Sequence, residues 1–276
     1  MSHPLFLVHP VSGTVECYAE LAPQLGRDRP LVALQAPGLA PGEECVPSIP
    51  GLAQRHLDAV RRAQPAGPYL IGGWSVGGVV AFEMAQQLRS AGERAALLLL
   101  IDCRVPDERM KAGNRKALGA FEDETIARHF LQYLVRRNEA DPPPSLDHLR
   151  GLARPELMAA VAEQARRLDA SCRSLDTEQI ERRFEVYRSN LRALLGYEPR
   201  RYEGRAALLQ ASEEHPAHPR PATLGWEDFI AQGIEYHPVG GTHFTLTASR
   251  YVPALAGVIQ GCLSRAQEPQ EPLEQR

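Results

Sequence analysis

The chain has 276 residues, 43% hydrophobic and 24% charged, which is enough apolar material for the core of one large domain. Its 31 basic and 34 acidic side chains leave a formal net charge of -3 without any long basic run, so nucleic acid and anionic membrane surfaces are not expected partners. No apolar run approaches the roughly 20 residues that span a bilayer, no leader precedes the first apolar stretch, and Cys17, Cys45, Cys103, Cys172 and Cys262 form neither a CxxC pair nor a metal-spaced cluster; the expectation is a soluble cytoplasmic protein in a reducing compartment.

Leu5 to Val8 is a short apolar run ending at His9-Pro10, and Leu31 to Leu34 is another ending before Gln35-Ala36-Pro37-Gly38; both read as buried strands. Val15 to Leu25 and Ile49 to Ala63 carry helical spacing, the second stopped by Gln64-Pro65-Ala66-Gly67-Pro68. Tyr69-Leu70-Ile71 is a third strand, Val76 to Arg89 a helix closed near Gly92, and Ala95 to Ile101 a fourth strand. Strands alternating with helices predict a mostly parallel central sheet covered on both faces.

After Asp102 this rhythm stops for about a hundred residues, too long for an ordinary loop. Three amphipathic helices fill the gap, with Ile126, Phe130, Tyr133 and Leu134 on one face of the first, Leu157, Val161, Ala165 and Leu168 on the second, and Ile180, Phe184, Tyr187, Leu191 and Leu194 on the third. Pro142-Pro143-Pro144 separates the first two. Ala206 to Gln210 then reads as a strand, Trp226 to Ile230 as part of a helix, Ile234 to Pro238 as the last strand and Tyr251 to Leu263 as a closing helix. The expected organisation is one α/β domain over 1–266, with its core at about 4–103 and 200–266 and a helical insertion, a candidate lid, at about 104–199. A disordered tail rich in Glu, Gln and Pro is expected over 267–276.

Gly73-Trp74-Ser75-Val76-Gly77 matches G-x-S-x-G where a strand turns sharply into a helix. Such a turn strains the serine backbone and needs small neighbours so that strand and helix can approach. A serine hydroxyl is a poor nucleophile at neutral pH, so it requires a base, and the base requires a carboxylate that fixes its tautomer. Among the nine histidines, His243 is best placed: it follows the last strand and the flexible Gly240-Gly241-Thr242, whereas His9, His215, His218 and His237 fall on the wrong side of the chain order or in a strand or its exit. For the acid, Asp102 closes the strand after the nucleophile helix, and Glu213 or Glu214 occupies the position more usual in α/β-hydrolases. Donors to an oxyanion would be the N–H of Val76 and, from the loop His9-Pro10-Val11-Ser12-Gly13, that of Val11. Gly72 to Gly78 lacks both the dinucleotide glycine spacing and the lysine of a P-loop, and no metal motif is present.

Phe6 to about Leu263 resembles the thioesterase domains that end nonribosomal peptide synthetases and, more distantly, polyketide synthases. The resemblance rests on Phe6-Leu7-Val8-His9-Pro10-Val11-Ser12-Gly13, Gly73-Trp74-Ser75-Val76-Gly77-Gly78, Leu100-Ile101-Asp102 and Gly241-Thr242-His243-Phe244. It implies an α/β-hydrolase fold with a helical lid, Asp102 as the acid, and an acyl chain passed from the 4'-phosphopantetheine thioester of a carrier domain onto Ser75. Release by water or by an internal nucleophile would follow. It also implies no permanently bound cofactor, a carrier domain in cis or in trans as partner, and a monomer. Proofreading thioesterases look similar but usually carry histidine before the serine and an aspartate after a later strand, so Trp74 and Asp102 favour the chain-releasing type. A stand-alone editing thioesterase, a general esterase or lipase, and an inert ligand-binding module on the same fold stand as alternatives.

Overall fold

The computed structural model describes residues 3–26, 29–118, 121–137, 145–213 and 223–267. Six strands, β1 (Leu5–Val8), β2 (Leu31–Leu34), β3 (Tyr69–Trp74), β4 (Ala95–Ile101), β5 (Ala206–Ala211) and β6 (Ile234–Val239), form one sheet in the order β2-β1-β3-β4-β5-β6. Every neighbouring pair is parallel. Parallel pairing needs crossovers, and the helices supply them: α1 (Leu21–Gln24) and α2 (Ile49–Ala63) precede the central β3, α3 (Val76–Ser90) follows it, and α8 (Val252–Gln267) closes the chain.

The period-two alternation of each strand sends its side chains into two separate cores. Phe6, Val8, Ile71, Leu98 and Leu100 face α2 and α3, while Leu5, Leu7, Leu70, Leu99 and Ile101 face α8. Strands buried on both faces read as continuous apolar runs, which is how Ala95 to Ile101 reads. β3 runs three residues past its apolar stretch, because Gly72, Gly73 and Trp74 pair with Leu99, Leu100 and Ile101. The helical spacing over Val15 to Leu25 resolves into a 3-10 turn at Glu16–Tyr18 and the single turn of α1, ended by Gly26 at φ 89°. Trp226–Asp228 is likewise a 3-10 turn rather than a longer helix.

Between β4 and β5 the chain builds α4 (Glu108–Leu118), α5 (Asp123–Arg137), α6 (Arg154–Leu168) and α7 (Thr177–Leu195). The last three are the expected helices, and α7 begins on a capping box in which Asp176 and Gln179 satisfy each other's backbone N–H. α4 is additional. Its sequence is polar, but Asp107 accepts from the Met110 N–H at 2.6 Å and Leu118 is fully buried at its end. Ile126, Phe130, Val161, Phe184 and Tyr187 join the same core as α2 and α3, so the insertion covers that face of the sheet. Pro142-Pro143-Pro144 and residues 268–276 lie outside the described residues. No described helix is long and apolar enough to cross a membrane.

Candidate active site

At the carboxyl end of β3 the chain turns through Ser75 at φ 57° and ψ -123° before entering α3. A non-glycine residue in that region stores strain of about 1–3 kcal/mol and persists only where its surroundings enforce it. Here the Ser75 N–H donates to the Ile101 carbonyl at 3.0 Å, and the Gly78 N–H donates to the Ser75 carbonyl at 3.0 Å. The flanking glycines are required sterically: a Cβ on Gly73 would lie 2.3 Å from the Gly77 carbonyl carbon, and one on Gly77 would lie 2.3 Å from the Val8 carbonyl oxygen. Tyr18 ties the ends of β1 and β3 together, its hydroxyl donating to the Val8 carbonyl at 2.7 Å and accepting from the Trp74 N–H at 2.9 Å.

Trp74 pairs with Ile101, so Ser75 and Asp102 leave adjacent strands at the same edge. Asp102 also adopts positive φ, at 42°, and its carboxylate is fully buried. Oδ1 accepts from the Ala211 N–H at 2.9 Å, and Oδ2 lies 2.6 Å from Nδ1 of His243. A carboxylate accepts, so Nδ1 carries the proton and Nε2 is left as the basic nitrogen. The His243 loop departs from Gly241 at φ 93° and is closed by hydrogen bonds from the Thr245 and Leu246 N–H groups to the Thr242 carbonyl. The Trp74 ring stands 5.6 Å from the imidazole, and Phe244 meets that imidazole edge-on at 5.0 Å.

The competing residues are placed elsewhere or outside the described set. Glu213 is exposed and accepts from the Tyr251 hydroxyl at 2.5 Å, a bond that holds its carboxyl below the usual range. Glu214, His215 and His218 lie outside the described residues. His237 bonds Glu235 at 2.8 Å. His9 is buried with Nδ1 donating to the Pro10 carbonyl at 2.8 Å and its ring 5.3 Å from that of His56; burial lowers their pKa values to about 4 and about 3. Cys103 is fully buried and burial pushes its thiol up, as expected of a core residue.

Among the described residues, neither the Val76 nor the Val11 N–H has a hydrogen-bond partner. Val76 opens α3, where the helix dipole favours negative charge. The Val11 loop is fixed on three sides: His9 N–H to the Leu34 carbonyl at 3.0 Å, Gly13 N–H to the Pro10 carbonyl at 3.0 Å, and Asn190 Nδ2 to the Val11 carbonyl at 3.0 Å. Asn190 and Tyr18 escape sequence reasoning; a buried amide on the otherwise apolar face of α7 is the signal that could have revealed the first.

α5 covers this edge. Tyr133 packs against Phe244, Arg136 lies 5.6 Å over the Phe244 ring, and Arg137 lies 5.7 Å over the Trp74 ring. A cavity of about 420 Å³ between the start of α2 and the end of α7 is lined by none of these residues, and we assign it no chemistry. Among the described residues, Glu235, His237 and Cys262 are the one metal-capable trio, and Arg265 already bonds both Glu235 and Cys262. A hydroxyl on a strained turn, an imidazole oriented by a buried carboxylate, and two unengaged N–H groups at one sheet edge can together carry nucleophilic acyl transfer.

Residues 3–263 match the family model of the thioesterase domain. A dimodular nonribosomal peptide synthase of Bacillus subtilis (strain 168) is 34% identical over 139 residues, which cover 47% of this chain and 6% of the synthase. A solved four-domain nonribosomal peptide synthetase, bound to AMP and glycine, superposes with a TM-score of 0.85 at 26% identity, over 95% of this chain and 19% of that one. The NocB thioesterase domain, solved as a covalent complex with a fluorophosphonate nocardicin G analogue, gives a TM-score of 0.65 at 26% identity, over 95% of both chains. The chain thus spans a small part of the curated relatives it matches, from 1% of a malpinin synthetase to 28% of an aspulvinone E synthetase.

Proposed function

This chain belongs to the thioesterase-domain family, and we propose that it takes an acyl or peptidyl chain from the phosphopantetheine thioester of a carrier domain onto Ser75 and releases it. The observation that carries the reading is the 2.6 Å contact between His243 Nδ1 and the fully buried carboxylate of Asp102, on the strand beside Ser75. His243 Nε2 takes the proton from the Ser75 hydroxyl as Oγ attacks the thioester carbonyl, and Asp102 stabilises the resulting imidazolium without itself being protonated. The negative charge that develops on the carbonyl oxygen is met by the N–H groups of Val76 and Val11, each such donor contributing about 2.7–4 kcal/mol to transition-state stabilisation.

Collapse of the tetrahedral intermediate breaks the C–S bond, and the imidazolium returns its proton to the departing thiol. Water, or a hydroxyl or amine of the chain itself, then gives a proton to His243 and attacks the acyl-enzyme, yielding an acid, a macrolactone or a macrolactam and restoring Ser75. α4 to α7 act as the lid that shapes the chain's path. The carrier brings the pantetheine arm, from an upstream domain or from another protein, and the reaction calls on no metal held by this chain.

The test is to present a peptidyl thioester on a carrier domain beside a short aryl ester and to identify products by mass spectrometry. Efficient release from the carrier, abolished by Ser75→Ala, is expected. Turnover of the aryl ester alone would instead mark a general esterase.

A further inference from the structure

α5 ends on Arg136 and Arg137, and the second of these points to what the site holds. Arg137 is partly buried, its guanidinium carbon 5.7 Å from the centre of the Trp74 ring, and that ring is 5.6 Å from the imidazole of His243. Several other arginines of the insertion are answered by carboxylates, Arg128 by Glu124, Arg154 by Asp123, Glu181 and Glu185, Arg183 by Glu16, and Arg188 by Asp123 and Glu185, whereas Arg136 and Arg192, like Arg137, meet an aromatic ring. Among the described residues, no carboxylate lies within ion-pair distance of Arg137. The aromatic contact serves the face of the guanidinium and leaves its N–H edge able to bond an acceptor. The indole Nε1 of Trp74, fully buried, also lacks an acceptor among the described residues.

A small cavity of about 20 Å³ lies between the loop after β1 and the insertion, lined by Ser12, Thr14, Tyr133, Arg137, Asp169 and Arg183 among others. Asp169 offsets some of the positive charge, but its Oδ1 accepts from the Ser171 N–H at 2.8 Å, and Arg183 is held by Glu16 and Ser171. Among the described residues, Arg137 is therefore the cation of this wall that no carboxylate contacts directly, although Asp169 and Glu16 act on it from further off. The space suits one water-sized group, so a carboxylate bound there would require α5 to shift outward.

We propose that Arg137 binds a carboxylate on the acyl chain held at Ser75, making this an enzyme for acidic chains; the inference rests on the thioesterase reading above. One indole separates the guanidinium from the imidazole, so an acyl chain that runs from Ser75 past Trp74 can bring a nearby side-chain group to Arg137. The phosphate at the far end of the pantetheine arm is too distant along the chain to be that group. A charge-assisted bond to a carboxylate, absent for the neutral isostere, corresponds to a preference of about tenfold to a hundredfold.

The experiment compares N-acetylcysteamine thioesters of two peptides that differ only in a C-terminal glutamate or glutamine, with the Ser75→Ala rate subtracted as background. The wild type is expected to favour the glutamyl thioester at least tenfold in kcat/KM. Arg137→Gln should level the two while leaving the glutaminyl rate within about twofold, and Arg137→Met, whose apolar stem still covers Trp74, should do the same. Equal turnover by the wild type, or variants that slow both substrates alike, overturns the inference and leaves the thioesterase reading standing. Turnover of neither thioester overturns that reading and the inference with it.

Discussion

The sheet edge that carries Ser75 and the helices inserted after β4 are held by different physics. At the edge, glycines leave no room for a Cβ against neighbouring backbone, and buried hydrogen bonds fix Ser75, Asp102 and the Val11 loop. The insertion packs its apolar faces into the core it shares with α2 and α3 but links its helices by surface charges, with Arg154, 41% exposed, at the hub joining Asp123 to Glu181 and Glu185, and it meets the active edge through ring contacts, cation–π pairs and the one hydrogen bond from Asn190 to the Val11 loop. Exposed ion pairs contribute about 0–1 kcal/mol each and weaken in salt. Reacting atoms need geometry that does not yield, whereas a cover must yield to admit a chain. The division of materials matches the division of labour.

Four perturbations sharpen that contrast. Asp102→Asn keeps the shape of the site but removes the negative charge that fixes the tautomer of His243, and kcat is expected to fall by about 10⁴ without a comparable change in KM. Steady-state kinetics on a carrier-mimic thioester checks it. Gly77→Ala sets a methyl against the Val8 carbonyl oxygen, where backbone rather than a flexible side chain must give way. A stability loss of about 3 kcal/mol or more is expected, with reactivity of Ser75 toward a fluorophosphonate lost at the same time; urea denaturation and intact-protein mass read the two.

Acid should strike the rigid half as well. His9 and His56 have folded pKa values of about 4 and about 3, below their ordinary 6.5, so the unfolded chain takes up protons first as pH falls. The stability they confer is complete above about pH 6.5 and declines from there toward pH 4 and below. A melting-temperature series across that window should show the decline, and His56→Leu should flatten it. The smallest effect belongs to the insertion: Arg154→Ala, or added salt, should cost about 1 kcal/mol or less and leave aryl-ester turnover unslowed. A large rate loss there would mean that the two regions are not mechanically separate.

Much of the sheet was legible from residues because a strand buried on both faces must be apolar throughout, as in Leu5 to Val8 and Ala95 to Ile101. The elbow was legible because its glycines have one physical reason, the close approach of α3 to β1 and β3. α4 was not, since ERMKAGNRKAL lacks an apolar stripe and is set in place by Asp107 at its start and Leu118 at its end. The acid illustrates the same limit at the site. Chain order left Asp102 open against Glu213 or Glu214, and only the fold brings Asp102 under His243 and turns Glu213 to Tyr251 at the surface, Glu214 lying outside the described residues. Asn190 and Tyr18 act on the backbone of distant strands, a relation that no local spacing records.

The central claim is that Ser75 carries the acyl chain. Rapid quenching of the protein with a slowly released peptidyl thioester, followed by intact and peptide mass spectrometry, tests it most directly. The account predicts a burst of acylated protein with the added mass on the peptide containing Ser75, absent in Ser75→Ala and slow to form in His243→Ala. Turnover at full rate with no adduct on Ser75, or with Ser75→Ala still active, would contradict it.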